Sequence, residues 1–600
     1  MLLNKQKTLI LRGLSWFLIS VFCFASLVSC NTGTVDPTTE DTTTLDDATT
    51  TDTTEETTTF GGEVGTLGDG TPVLQPDPEK PEAPENPEIT LYDLTNSAYN
   101  GGKVGCTKIT VLSEYTVGLD FDIYADKKQG DKVFYLYLPC RVDASQVTFS
   151  ATHRDGSVSG PYTVDLSDDV VTGNERLVAT TSTYTIKAMQ SNLPTVMVQV
   201  DEQYVSVSEM QGDSEHKTFA YGDMVTTVTD EMALANGWAT RYESEDTDPD
   251  KYCSLDIRGR GNTTWQMPKK PYQIRSENTM DLLGMGLGTT YALMANWRDA
   301  TGARTQLALD LGKMLDIDYT CEQRQVDFFL NGTYMGMYVI TEKIEVAPNR
   351  VEIDQTEDIL FEVDQYYQDH GEFGFSLFEY NEEYHFRIHS PTEPGTAGVS
   401  KMVLYEAIVA LHSGDEEEFI KYFDLESWAR MFLLHLYAMN GIDSYAGSFF
   451  FYYNHEDGKL YACSPWDFDY SFGGSHRSDR KYWDPYICDR TDVGFCKPMM
   501  EYSAFVAELL DIYYLEGGKE TLESMPALVQ KYAEENLLSF AMSDKAIGAH
   551  YYASTQSFFG SGVALDYDKA IEHLYTTCVN RLEWIETKMQ EWGAEIGYTQ

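Results

Sequence analysis

The sequence has few basic residues for its length. It carries 43 Lys and Arg against 95 Asp and Glu, which gives a formal net charge of −52 over 600 residues. Proteins bind nucleic acids and anionic lipid surfaces through a basic face. This balance therefore argues against nucleic acid or a lipid surface as the main partner, and any basic site in the chain must be local.

Several catalytic and metal-binding patterns are also missing. The sequence contains no G-x-S-x-G, no H-E-x-x-H, no G-x-x-x-x-G-K-[ST] and no C-x-x-C. Its histidines stand apart: His435 lies in a helical pattern and His455 in a hairpin loop, which favours structural roles over metal binding. Nothing here supports hydrolase, zinc-protease or P-loop chemistry.

A short apolar run follows a basic start at the N-terminus. The run from Leu14 to Leu27 is too short for a comfortable membrane span and ends in the letters LVSC at Cys30. The pattern resembles a bacterial lipoprotein signal, which predicts a signal peptide over residues 1–29 and a lipid on Cys30. An ordinary signal peptide or a short anchor is the alternative. Either interpretation places the mature chain outside the cytoplasm.

Export would permit disulfide bonds. The chain has ten cysteines, of which Cys488 and Cys496 bracket a short loop. These two could pair or remain buried thiols, and their spacing is not a zinc pattern.

Composition divides the rest of the chain into three parts. Residues 30–90 are rich in Thr, Asp, Glu and Pro, with Lys80 as the only basic residue, which predicts a disordered acidic linker. Residues 91–190 show short alternating strands separated by Gly and Asp, which predicts a small β-sandwich-like module that serves as a spacer or binding module. From 191 to 600 strands precede helices, which predicts an α+β domain with segregated lobes.

The first motif of this domain is a hairpin that is interrupted by glycines. Residues 254–274 read as a strand, a loop with Gly259 and Gly261, and a second strand that opens with Lys269 and Lys270. Glycine lets backbone N–H groups approach a phosphate and lysine supplies a charge, so a nucleotide lid is one interpretation. A tight hairpin with two solvated lysines is the other.

The central stretch, 424–474, combines a buried helix with two acids. Its apolar residues recur at helical spacing after Asp424, the predicted N-cap, and the next loop contains Asp443. Phe449–Tyr453 and Lys459–Cys463 predict a buried hairpin, after which Asp467 stands before a Gly turn. Protein kinases use this layout to hold a catalytic base and a Mg²⁺ ligand together.

Four blocks together resemble the CotH kinase family, named for a bacterial spore coat protein. They are IRGRGNTTWQMPKKPYQI, LMANWRDATGARTQLAL, VDFFLNGTYMGMYVITE and residues 440–474, in that order within roughly 193–592. The resemblance implies an atypical, secreted or surface protein kinase. Such a kinase would bind ATP and Mg²⁺ in a cleft between a strand-rich N-lobe and a helical C-lobe.

In the C-lobe, the resemblance implies that Asp443 is the catalytic-loop acid and Asp467 the Mg²⁺ ligand. One position departs from the family. Many members have Asn five residues after the loop acid, where its amide can help to hold metal, and this chain has Ser448. A hydroxyl can ligate Mg²⁺ directly or through water but is a poorer ligand, so the departure bears on activity rather than on fold.

In the N-lobe, the resemblance implies that Lys270 or Lys269 contacts phosphate and that Glu342 is its ion-pair partner. Gly259 and Gly261 would shape the lid above the nucleotide.

These observations predict an exported, lipid-anchored kinase that phosphorylates Ser or Thr of surface or envelope polypeptides. The alternative is a catalytically weak or inactive kinase-like protein that serves in surface binding or adhesion. AMP transfer in the same cleft is a third interpretation, because the handling of metal and triphosphate would be shared.

Overall fold

The computed structural model describes most of the chain beyond residue 105. The described ranges are 106–112, 122–126, 133–167, 170–172, 175–180, 185–190, 192–244, 254–261, 264–297, 299–368, 371–380, 382–393, 395–438, 447–469, 471–473, 496–547 and 567–599. All of them belong to one compact unit. The predicted signal peptide, the linker and Cys488 lie outside these ranges.

Two four-stranded sheets form the first described part. Their strands are β1 Cys106–Val111, β2 Ile123–Tyr124, β3 Val133–Leu138, β4 Val147–His153, β5 Val158–Val164, β6 Val170–Thr172, β7 Glu175–Thr180 and β8 Thr185–Gln190. One sheet has the order β2-β1-β4-β5 and the other β3-β8-β7-β6. Both sheets contribute to one hydrophobic core, which continues into Met197, Phe329 and Met542. The predicted module is thus packed on later parts of the chain, and its boundary at residue 190 stays a prediction.

A closed seven-stranded barrel follows. Its region contains β9 Thr195–Val200, α1 Val207–Gly212, β10 Phe219–Thr227, α2 Asp230–Asn236, β11 Arg241–Glu243, β12 Leu255–Gly259, β13 Tyr272–Asp281, β14 Leu287–Met294, α3 Arg304–Met314, β15 Gln323–Leu330 and β16 Thr333–Glu342. The strand order is β10-β12-β13-β14-β16-β15-β9, and β9 also pairs with β10, which closes the ring. β11 extends the sheet beside β10. Inward-facing aliphatic and aromatic side chains fill the barrel, as alternation along each strand requires.

The turn between β15 and β16 helps to close the barrel. Asn331 and Gly332 have φ of 46° and 74°, the left-handed geometry of the predicted Asn-Gly hairpin turn. The side chain of Asn331 accepts a hydrogen bond from the N–H of Val200 at 2.7 Å. The side chain of Asn331 thereby supplies the hydrogen-bond acceptor that a neighbouring strand would otherwise provide at the end of β9.

The rest of the chain builds a helical body around a second sheet. Its elements are β17 Ile359–Val363, β18 Gly374–Glu379, β19 Glu382–Ser390, α4 Thr396–Leu411, α5 Glu416–Tyr422, α6 Leu425–Ala438, β20 Phe449–Asn454, β21 Lys459–Cys463, α7 Cys496–Met499, α8 Ser503–Tyr514, α9 Gly518–Ile547 and α10 Tyr567–Ile596. The sheet has the order β18-β19-β17-β20-β21. α3, although it follows a barrel strand, packs into the core of this body. Helices and strands are mixed as an α+β fold requires.

The central helix and hairpin form as the sequence predicts. Asp424 caps α6, since its carboxylate accepts the N–H of Ser427 at 2.9 Å. β20 pairs with β21 in antiparallel register, and β20 also pairs with β17. β20 is therefore an inner strand of a five-stranded sheet and β21 its edge strand, which explains why β20 is apolar on both faces. None of the helices that the structure describes has the length and apolar character needed to cross a bilayer.

Candidate functional site

The candidate site lies where the segment after β21 meets the outer face of the barrel. Asp443 is outside the described residues, so its position stays a prediction. Asp467 is described, and it has φ of 65°, a left-handed conformation that a non-glycine residue rarely adopts. Such strain persists only where the surrounding structure fixes the backbone, and it clusters at functional sites.

Two anchors hold the backbone on either side of Asp467. Before it, Ser464 donates its N–H to the carbonyl of Asp318 at 2.9 Å and its hydroxyl to the carbonyl of Tyr319 at 3.1 Å. After it, Phe468 is fully buried, and its carbonyl accepts the N–H and the hydroxyl of Ser471. The strained residue is therefore locked by contacts that do not involve its own side chain.

A buried ion pair supports the second anchor. Arg304, at the start of α3, pairs with Asp299 and donates Nε–H to the carbonyl of Ser471 at 3.0 Å. Asp299 also accepts the N–H of Thr301 at 2.9 Å and the N–H of Arg304 at 2.8 Å. The block NWRDATGAR thus connects the end of β14 to the turn beyond Asp467.

Trp466 joins the barrel to the helical body. Its ring packs against Ala292, Met294 and Val339 on the outer face of the barrel. It also packs against the cluster that includes Ile344. The residue before Asp467 therefore sets the separation of the two parts at the candidate site.

Arg260 is a cation whose charge interacts with that of Asp467. It follows β12, and its Cζ lies 5.5 Å from the centroid of the Trp466 ring. Burial lowers the pKa of the Arg260 guanidinium, while the carboxylates of Asp467 and Glu362 act in the opposite direction. The two charges therefore interact electrostatically where the barrel meets the segment after β21.

The lysines, and not Arg260, were predicted to contact phosphate, and that role stays a prediction. Lys269 is buried, donates to the carbonyl of Met337 and lies 4.6 Å from the ring centroid of Tyr338. Burial lowers the pKa of Lys269 to about 7, opposed by Asp327 and Asp299. Both lysines belong to the barrel's own structure, because Lys270 donates to the carbonyl of Trp265 and covers its ring at 4.4 Å.

The predicted ion pair between a lysine and Glu342 is wrong. Glu342 pairs with Arg350, and both side chains are almost fully buried, at 7% and 2% exposure. Its second carboxylate oxygen accepts the N–H of Glu322 at 2.7 Å. Burial raises the pKa of Glu342, partly opposed by the hydrogen bond at Glu322 and by Arg350. This pair lines a cavity of about 330 Å³ at the end of the barrel, which Ser464 also lines.

The glycines of the hairpin make room for a tryptophan. A Cβ on Gly259 would lie 2.4 Å from the ring of Trp265, which is buried and donates Nε1–H to the carbonyl of Asp213 at 2.7 Å. Gly261 has φ of 79°, and a Cβ there would lie 2.6 Å from Thr264 Oγ1. Packing of the loop over the barrel end therefore accounts for both glycines.

The Gly259→Ala variant tests this assignment. The added methyl must displace the Trp265 ring, so we expect a loss of about 1–3 kcal/mol in unfolding free energy, the usual cost of overpacking. Urea denaturation measures it. Gly398→Ala is the control, because a Cβ at Gly398 meets nothing within 4 Å. An unchanged urea midpoint for Gly259→Ala would show that the ring does not need this space.

The metal ligands stay a prediction. Ser448 directly precedes β20 and has φ of 60°. No group of three or more His, Cys, Asp or Glu side chains suited to a metal ion occurs among the described residues, which do not include Asp443.

Comparison with known proteins gives one result that bears on this site. A family model described as CotH kinase protein matches residues 257–555. The match begins in β12 and spans Arg260, α6, the β20–β21 hairpin and Asp467. No curated protein matches the chain.

Proposed function

Because the chain belongs to the CotH kinase family, we propose that it is an exported, lipid-anchored protein kinase. It transfers the γ-phosphate of ATP to Ser or Thr of surface or envelope polypeptides. In this proposal the barrel is the N-lobe and the helical body the C-lobe of a bilobal kinase. The nucleotide phosphates lie between them, beside Trp466.

One observation carries the proposal: the carboxylate of Asp467, which follows β21, acts electrostatically on the guanidinium of Arg260, which follows β12, so the two parts bring opposite charges to one site. A guanidinium binds anions, and a carboxylate binds cations. A phosphate group and Mg²⁺ satisfy both charges. Carboxylate and hydroxyl oxygens suit Mg²⁺, so Asp467 and Ser448 are the residues that would hold it.

The chain's own residues supply positioning and proton transfer. Arg260 binds and orients the phosphate, replacing the lysines in the role first predicted for them. Asp443 orients the Ser or Thr hydroxyl and accepts its proton as the oxygen forms a bond to the γ-phosphorus and the bond to ADP breaks. Mg²⁺, when bound, neutralises charge on the phosphate oxygens.

Binding of ATP with Mg²⁺ tests the proposal. At about 100 times its dissociation constant, a ligand that binds only the native state adds about 2.7 kcal/mol. We expect a rise in melting temperature with ATP and Mg²⁺ together, and a smaller one with ATP and EDTA, because the bare phosphates would face Asp467 in a strongly negative chain. No shift at millimolar concentrations favours the binding or adhesion function, which Ser448 in place of Asn also favours.

The membrane anchor is a separate part of the proposal. Cys30 would carry the lipid, and the linker of residues 30–90 would hold the folded part away from the membrane. Cys30→Ser should move the protein from the membrane fraction to the soluble fraction, as measured by fractionation and immunoblotting. A variant that stays in the membrane as an uncleaved precursor like the parent would indicate a plain N-terminal anchor.

A further inference from the structure

We propose that Arg258 selects acceptor polypeptides that carry an anionic side chain, a carboxylate or a phosphate, beside the residue to be phosphorylated. This inference rests on the proposed transfer reaction, although its test does not require transfer. The relevant surface is the outer face of β12 and β13 together with the facing edge of β17 and β19.

Arg258 lies on the outer face of β12, and Arg260, directly after the strand, continues the same alternation. The burial of β12 alternates so that Leu255, Ile257 and Gly259 face the barrel interior, and the residues between them face outward. Two residues along a strand span about 7 Å, so the two guanidinium groups project from the same face at about that spacing. They form a row that leads outward from Asp467.

Arg258 forms no ion pair with any residue that the structure describes. It donates to Gln273 Oε1 at 3.2 Å and to the carbonyl of His216 at 3.5 Å, and its Nε is buried without a hydrogen-bond partner. The nearby carboxylates are taken: Asp256 pairs with Arg275 at 2.5 Å, and Glu372 pairs with another arginine. A half-buried cation without an ion pair is costly, which favours a binding role for it.

The carboxylates that act on Arg258 differ from the one that acts on Arg260 at the proposed phosphate-binding position. Arg260 interacts with Asp467, whereas the carboxylates that act on Arg258 are Glu372 and Asp256. Burial is the main cause that lowers the pKa of Arg258, and Arg387 and Arg275 lower it further. Arg258 therefore lies on the outward side of the row, toward Arg275, whose side chain is 56% exposed. The acceptor polypeptide must approach from that side.

The ligand class follows from the chemistry of the side chain. A planar guanidinium with free donors binds carboxylates and phosphates through paired hydrogen bonds. Arginine clusters are the usual device for acidic and phosphorylated motifs. In a chain of net charge −52, which repels anions at long range, such a group gives local selectivity rather than faster encounter.

Equilibrium binding of three labelled peptides tests the inference. They share one Ser acceptor and differ in the flanking residue, which is Gln, Glu or phosphoserine, and fluorescence anisotropy reports their binding to the full chain at low ionic strength. We expect at least one anionic peptide to bind about tenfold more tightly than the Gln peptide. The tighter of the two anionic peptides identifies the group that Arg258 recognises.

Two variants test whether Arg258 causes this preference for anionic peptides. Arg258→Gln should bind the three peptides with equal affinity. The control Arg154→Gln removes the same charge from an exposed turn of the first sheets and should bind the anionic peptide more tightly, as the parent does. Unchanged melting temperatures of both variants exclude damage to the fold. Equal affinities in the parent, or an Arg258→Gln variant as selective as the parent, would overturn the inference.

The nucleotide measurement keeps the two proposals apart. If Arg258→Gln removes the melting shift with ATP and Mg²⁺ and leaves peptide selectivity intact, Arg258 belongs to the nucleotide and the inference is wrong. If the parent shows no nucleotide shift but binds anionic peptides through Arg258, the kinase proposal fails and the peptide site stands.

Discussion

Asp467→Asn is expected to weaken the binding of ATP with Mg²⁺ by about 10²-fold. The substitution removes the charge that would hold the metal, yet asparagine tolerates the left-handed backbone that Asp467 adopts, so the strained turn is retained. Titration calorimetry with ATP and Mg²⁺ gives the affinity of parent and variant.

Asp457→Asn is the matched control for charge. It removes one carboxylate from the exposed turn of the β20–β21 hairpin, where Asp457 accepts the N–H of Lys459 at 3.0 Å. Its nucleotide affinity should equal that of the parent. An Asp467→Asn variant that binds ATP with Mg²⁺ like the parent, while melting normally, would remove Asp467 from the metal site.

Asp443→Asn is expected to separate transfer from binding. Asparagine keeps the shape and hydrogen-bonding capacity of the side chain but cannot accept a proton, so phosphoryl transfer should fall by about 10²-fold or more. Nucleotide affinity should persist, because Asp443 acts on the acceptor hydroxyl and not on the phosphates. Single-turnover measurements with saturating ATP isolate this step.

The outcome for Asp443→Asn bears directly on the role assignment. Transfer at the parental rate would show that Asp443 is not the proton acceptor. A variant that loses nucleotide binding together with transfer would place Asp443 at the metal instead. Equal melting temperatures of the two nucleotide-free proteins are needed for either conclusion.

Local patterns in the sequence predicted local structure well. The helical spacing after Asp424 gave α6 and its cap, and Asn331-Gly332 gave the turn between β15 and β16. In each case the residues that determine the element lie within a few positions of one another. The α+β class followed from the order of these elements.

Long-range pairing could not be predicted in the same way. The barrel closes because β9 pairs with both β10 and β15, and β15 lies more than a hundred residues further along the chain. The hairpin β20–β21 similarly joins β17. Alternation indicates which face of a strand is buried, but it does not identify the neighbouring strand.

The contacts of the predicted site residues likewise depend on long-range packing. Lys269 and Lys270 were predicted to contact phosphate; in the structure they precede β13 and donate to the carbonyls of Met337 and Trp265. Arg260 directly follows β12 and continues its outward alternation, which was the signal that could have indicated this residue. The partner of Glu342 is Arg350, beyond the end of β16, and local spacing does not indicate such a pair.

The most direct test of the kinase proposal is covalent labelling of the full chain with labelled ATP and Mg²⁺. With ATP labelled in its γ-phosphate, we expect the label to appear on the protein or on an added polypeptide. The Asp443→Asn and Asp467→Asn variants should both fail to transfer the label. Label that enters only from the α-position would mean AMP transfer. Label that persists equally in both variants, or none in a parent that binds ATP, would contradict phosphoryl transfer in the cleft between Arg260 and Asp467.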